Sequence, residues 1–69
     1  MLYKVNKNSQ IKTGDHIVHT HDCIYGPKDS NAKELGYFES ERVALSEAAK
    51  YYTSVNGCSY CCKSIHLKR

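Results

Sequence analysis

The chain is 69 residues long (7.8 kDa), with 41% apolar and 25% charged residues, a formal net charge of +3 and a mean hydropathy of −0.61. That balance excludes a disordered polyelectrolyte, and no apolar run is long enough to cross a bilayer, so no membrane partner is expected. A chain of this size buries only about 60% of the surface that its unfolded form exposes, so a single domain over residues 1–69 is expected, one that needs a staple beyond its core.

In chain order, residues 2–6 (LYKVN) alternate, with Tyr3 and Val5 on one side and Lys4 on the other, as in a half-buried strand. A polar stretch containing Thr13-Gly14-Asp15 leads to the β-branched run His16-Ile17-Val18-His19-Thr20, a second strand expected to pair antiparallel with the first. Residues 25–33 hold Gly26-Pro27 and Asp29-Ser30-Asn31 and read as loop. Leu35-Gly36-Tyr37-Phe38 is a third short strand.

Ser40 is placed to cap a helix over residues 41–52, with Glu41 at the positive end of its dipole. Ala44, Leu45, Ala48, Tyr51 and Tyr52 share one face, and Arg42, Ser46, Glu47 and Lys50 lie opposite. Asn56-Gly57 reads as a left-handed turn that stops and reverses the chain. The fold class is therefore α+β: a three-stranded sheet with one helix, cored by Val5, Ile17 or Val18, Leu35, Phe38, Ala44, Leu45, Ala48 and Tyr52.

Four Cys and four His stand out in so short a chain. The N-terminal segment lacks the apolar stretch and cleavage site of a secretory signal, so a cytoplasmic location is expected, where reducing conditions disfavour disulfides and favour metal binding. His19 and Cys23 are four residues apart, and Cys58-Ser59-Tyr60-Cys61 is a C-x-x-C. The two pairs supply the four ligands of a tetrahedral site, and one Zn2+ fits a mixed imidazole and thiolate set best. Three thiolates on a dication leave one negative charge, for backbone N–H groups and Lys63 to offset. Cys62 reads as a small buried residue, His66 as a solvated tail residue and His21 as a loop group; Cys62 or His66 is the alternative should one of the four not ligate.

In order along the chain, Thr13-Gly14, Val18-His19, Cys23, Leu35-Gly36-Tyr37-Phe38, Ser40, the alanine-bearing helix and Asn56-Gly57-Cys58-Ser59-Tyr60-Cys61 resemble the small zinc module at the N-terminus of Ada-type DNA methyl-repair proteins and the zinc modules appended to bacterial nucleases. The resemblance covers residues 12–62. It implies a structural zinc site on a compact sheet-plus-helix module. In the Ada-type proteins the first of the four ligands is a cysteine that accepts a methyl group from a DNA phosphotriester. Here that position is His19, whose imidazole is no thiolate nucleophile, so direct methyl repair is not expected.

Two classes of function are compatible with these residues. The first is a monomeric, non-catalytic zinc module that binds a protein or nucleic acid. In the nucleic-acid case Lys63, Lys68 and Arg69 would neutralise phosphates and Tyr60 would stack on a base, while Lys4, Lys7 and Lys12 add charge near the hairpin. The plainer alternative makes the tyrosines core and rim and the lysines an ordinary solvated surface. The second class is a thiol redox or metal-handling protein using Cys58, Cys61 and Cys62; its C-x-x-C follows the helix rather than opening one, the position that would activate a thiolate. A hydrolase would need an open metal position and a general base, and only Asp22 lies near the ligand pairs in sequence.

Overall fold

Strand β1 (Leu2–Asn6) leads to β2 (His16–Thr20) through a polar loop in which Gly14 takes φ +75°, a value glycine reaches without a Cβ penalty. The loop closes through Gly14 N–H donating to the Gln10 carbonyl (2.8 Å) and Gln10 N–H to the Asp15 carbonyl (2.8 Å). These elements belong to a computed structural model that describes residues 1–68. A 3₁₀ turn, Asp29–Asn31, precedes β3 (Ala32–Tyr37), and α1 (Glu41–Ala48) leads to β4 (Val55–Gly57). A second 3₁₀ turn, Lys63–Ile65, follows.

The architecture is α+β, with four strands rather than three. The sheet order is β3-β1-β2-β4, with β1 antiparallel to both β2 and β3, and β4 parallel to β2. The segment read as a reversing turn is this fourth strand: Asn56 and Gly57 pair with Ile17 and Val18, and Gly57 has no positive φ. The Asn56 carboxamide is spent on backbone, its Oδ1 accepting from Gly57 N–H (2.8 Å) and Leu67 N–H (2.8 Å) and its Nδ2 donating to the Leu67 carbonyl. β3 also begins earlier than expected. It carries a bulge, since Tyr3 faces Gly36 and Lys4 faces Glu34 with Leu35 between, and Gly36 accommodates it at φ +115°.

The helix is capped as expected, the Ser40 hydroxyl accepting from Val43 N–H at 3.4 Å. It ends four residues short of Tyr52, in a tightened last turn where Lys50 N–H bonds the Glu47 carbonyl and Tyr51 N–H the Ala48 carbonyl. Tyr52 then stacks on His16, ring centroids 3.8 Å apart, which draws the chain back over the sheet.

Strand alternation divides the sheet into two faces. Val5, Val18 and Tyr3 lie on the helix side; Val5, Val18, Ala44 and Ala48 are fully buried, with Phe38, Leu45 and Tyr52 packed around them. Cys62 and Ile65, from the 3₁₀ segment, complete that core. Lys4, Ile17, His19 and Asn56 lie on the opposite face and are buried too, so the strand expected to be wet on its Lys4 side is covered on both. Tyr37, at the end of β3, is 77% exposed. Among the described residues no helix is long and apolar enough to cross a membrane.

Candidate metal centre

Three chain segments deliver the candidate ligands. His19 stands on β2, its backbone fixed by pairing with Lys4 of β1. Cys23 lies three residues after the end of β2, in a turn closed by Cys23 N–H donating to the Thr20 carbonyl (3.1 Å) and Gly26 N–H to the Cys23 carbonyl (3.0 Å). Cys58 leaves β4 with its N–H on the Val18 carbonyl (2.9 Å), and Cys62 N–H bonds back to the Cys58 carbonyl (2.9 Å), closing the loop that presents Cys61. One turn after each of two strands thus faces the other.

The four ligand atoms of His19, Cys23, Cys58 and Cys61 lie within 4.8 Å of one another. Cys23 Sγ and Cys58 Sγ are 4.0 Å apart, and Cys61 Sγ is 3.9 Å from His19 Nδ1. Four-coordinate zinc, with Zn–S of about 2.3 Å, would set the S···S edge near 3.8 Å and the S···N edge near 3.6 Å, so the two pairs at 4.0 and 3.9 Å need close by only a few tenths of an ångström and the group as a whole by at most about 1 Å. These four side chains could hold one metal ion.

Backbone amides point at the sulfurs. Tyr60 N–H lies 3.4 Å from Cys58 Sγ, Thr20 N–H 3.3 Å from Cys61 Sγ, and Tyr25 N–H bonds Cys23. Each is a dipole that stabilises thiolate charge. Burial pushes the Cys23 thiol up to about 11 and raises that of Cys61, whereas for Cys58 the same burial is outweighed by the Cys61 and Tyr60 amides and the neighbouring thiols, and its pKa falls. Burial, and then the positive charge of Lys4, lower the His19 pKa and keep the imidazole in the neutral form that ligates.

The residues weighed as replacement ligands sit elsewhere. Cys62 is fully buried in the core beside Ile65, 3.8 Å from Cys61 Sγ but outside the four-donor group, and burial raises its thiol to about 11. His66 is exposed, and its Nδ1 hydrogen-bonds the Gly57 carbonyl (2.9 Å). His21 pairs with Glu34 at 3.0 Å.

Beside the centre runs a cleft of about 640 Å³, lined by His19 and Cys58 of the candidate centre and by Asn6, Thr13, Asn56 and His66. It contains Tyr60 and Lys68 from the set expected to meet nucleic acid, and adds Tyr25, whose ring meets Tyr60 edge-on at 4.8 Å. Lys63 is exposed but lies outside the cleft lining, and Arg69 falls outside the described residues. Lys4 is only 6% exposed and contributes nothing to surface charge. Tyr25 escaped the sequence reading because its position in the Gly26-Pro27 loop carries no periodic signal; its place two residues after Cys23 was the clue. No family model matches the chain, and searches of curated proteins and of solved structures find no match.

Proposed function

We propose that the protein is a small zinc-binding module whose Cys3His centre is structural and whose cleft-bearing face binds a macromolecular partner. The convergence of His19, Cys23, Cys58 and Cys61 carries this reading, because four protein donors within 4.8 Å of one another can fill all four positions of a tetrahedral zinc ion and leave none open for water or substrate. A non-catalytic role follows from that closure. The ordered resemblance to the Ada-type and nuclease-appended modules supports the same assignment, with His19 in place of the methyl-accepting cysteine.

The reduced chain purified without added metal is expected to carry one Zn2+ by native mass spectrometry, and its cobalt form to show thiolate charge transfer with tetrahedral ligand-field bands. Cobalt spectra without thiolate charge transfer would overturn the reading, and loss of metal on Cys62→Ser but not Cys61→Ser would relocate the site.

Nucleic acid is the partner favoured by the cleft's chemistry. Its lining includes no Asp or Glu among the described residues, and it brings the exposed Tyr25 and Tyr60 and the Lys68 side chain to one cleft. Stacking and phosphate neutralisation need that combination. Fluorescence anisotropy with single- and double-stranded oligonucleotides at low salt is expected to show weak binding, with a log–log salt slope of about −2 to −3 for three phosphate contacts. Unchanged anisotropy would turn the assignment to a protein partner.

A further inference from the structure

Lys4 is one of four buried polar or charged residues among those described, at 6% exposure. Its ammonium donates to the Pro27 carbonyl at 3.3 Å, and among the described residues no carboxylate lies within ion-pair distance of it. A buried cation satisfied by a single carbonyl is costly unless an opposite charge stands nearby. The candidate metal centre supplies one. Lys4 is paired across the sheet with His19 and shares its face, and its charge is felt at the His19 ring.

The packing of the Cys23 turn gives a second, independent indication. Gly26 has an ordinary φ, so backbone conformation does not demand glycine there; a Cβ at this position would lie 2.8 Å from Lys4 Cε, 3.1 Å from Lys4 Nζ and 3.2 Å from the Cys23 carbonyl oxygen. The ammonium is thus held within about 6 Å of the Cys23 carbonyl, against the turn that delivers the Cys23 thiolate. The residue keeping that approach open is the absent side chain of Gly26.

We propose that Lys4 is the counter-ion of the metal centre. This rests on the zinc reading above: three thiolates and one imidazole leave a single negative charge on a divalent ion, and the Lys4 ammonium neutralises it. A neutral centre binds its dication more tightly than an anionic one stranded in a low-dielectric interior. It also holds electron density on the sulfurs less available to electrophiles. Lys4 therefore acts as a positioning and charge-compensating residue that makes the centre an inert staple.

The test compares the wild type with Lys4→Met, which removes charge and donor, Lys4→Gln, which keeps a donor without the charge, and Lys4→Arg, which keeps the charge. Zinc affinity is read by chelator competition, and thiolate reactivity by iodoacetamide alkylation of the zinc-loaded protein. Met and Gln are expected to weaken zinc binding by about 10- to 100-fold, the usual effect of removing an outer partner of a metal site, and to speed alkylation several-fold; Arg is expected to stay near wild type. Met and Gln variants matching the wild type in both assays would overturn the proposal. If Lys4→Met alone fails to fold, the Cys23→His/Lys4→Met pair decides, because a Cys2His2 centre is neutral without the ammonium: recovery of zinc-dependent folding supports the proposal and continued failure overturns it. A wild-type chain that binds no zinc would instead remove the metal reading itself.

Discussion

Gly57→Asn separates two physical accounts of the Asn56-Gly57 pair. If Gly57 sat in a left-handed turn, asparagine would be accepted at small cost, since its side chain tolerates that conformation. In the structure Gly57 lies in β4, where a Cβ would collide with Ile65 Cγ1 and come within 2.8 Å of Ile65 Cδ1 and 2.9 Å of the Cys62 carbonyl. Ile65 is buried against the helix side and the Cys62 carbonyl is main chain next to Cys61, so neither neighbour can move without disturbing the core or the metal loop. Overpacking of this kind costs about 1–3 kcal/mol, and at 4–8 °C per kcal/mol for a chain of this size about 2 kcal/mol lowers the melting temperature by about 10 °C. Gly14→Asn is the control. Gly14 takes φ +75° with nothing within 4 Å of a Cβ, so its melting temperature should stay within a few degrees of wild type. Thermal melts of the zinc-loaded proteins by circular dichroism decide the matter. A Gly57→Asn protein as stable as the wild type, or a Gly14→Asn protein as damaged as Gly57→Asn, would refute the packing argument.

Ser40→Ala removes a cap made at the long distance of 3.4 Å, so a loss near the low end of capping effects, about 0.5–1 kcal/mol, is expected in denaturant titrations. Zinc added to the metal-free, reduced chain in weak buffer at pH 7 should release about three protons, because the three candidate cysteines are thiols of ordinary pKa, about 8.5, in the metal-free chain and each ligates as thiolate, while the imidazole is mostly neutral already. Fewer than two protons by pH-indicator titration would mean that fewer thiols ligate. His19 also fixes the sign of acid sensitivity. Its folded pKa lies below the ordinary 6.5, so its contribution is present above about pH 6.5 and is lost as pH falls through the folded value, and urea midpoints should fall on acidification rather than on alkalinisation through that window. Complete chelation should collapse the amide dispersion of the NMR spectrum, since structural zinc contributes about 10–16 kcal/mol in small peptides; retained dispersion would show that the core stands alone.

The parts of the molecule that were legible in the sequence are those fixed by local chemistry. Ser40 ahead of an apolar stripe announces the helix start, alternation over residues 2–6 announces β1, the β-branched run Ile17-Val18 with Thr20 announces β2, and the spacing of His19 with Cys23 and of the C-x-x-C announces the ligand pairs. What escaped is set by distant partners. β4 is three residues long and pairs in parallel with a strand some 40 positions earlier, so nothing within Val55-Asn56-Gly57 distinguishes it from the turn that an Asn-Gly pair usually signals. The helix end depends on the attraction of Tyr52 for His16, again a long-range contact. Alternation placed Lys4 correctly on the face away from Val5, but burial of that face comes from residues 23–27, an irregular loop whose position no periodicity encodes.

That loop shows why the metal centre bears on the whole fold. The helix supplies one layer over the sheet through regular structure of its own. The other face is covered by a turn with no helix or strand, held by a few hydrogen bonds and by the Lys4–Pro27 contact. Cys23 ties this turn to the Cys58–Cys61 loop through the candidate centre, and the same loop continues into Cys62 and Ile65, which are buried in the helix-side core. An ion bound there therefore joins two layers that the sheet would otherwise keep apart. Loosening Cys58 and Cys61 would withdraw support from Cys62 and Ile65 on the far side as well, so loss of the metal should propagate to the helix rather than remain confined to the exposed turn.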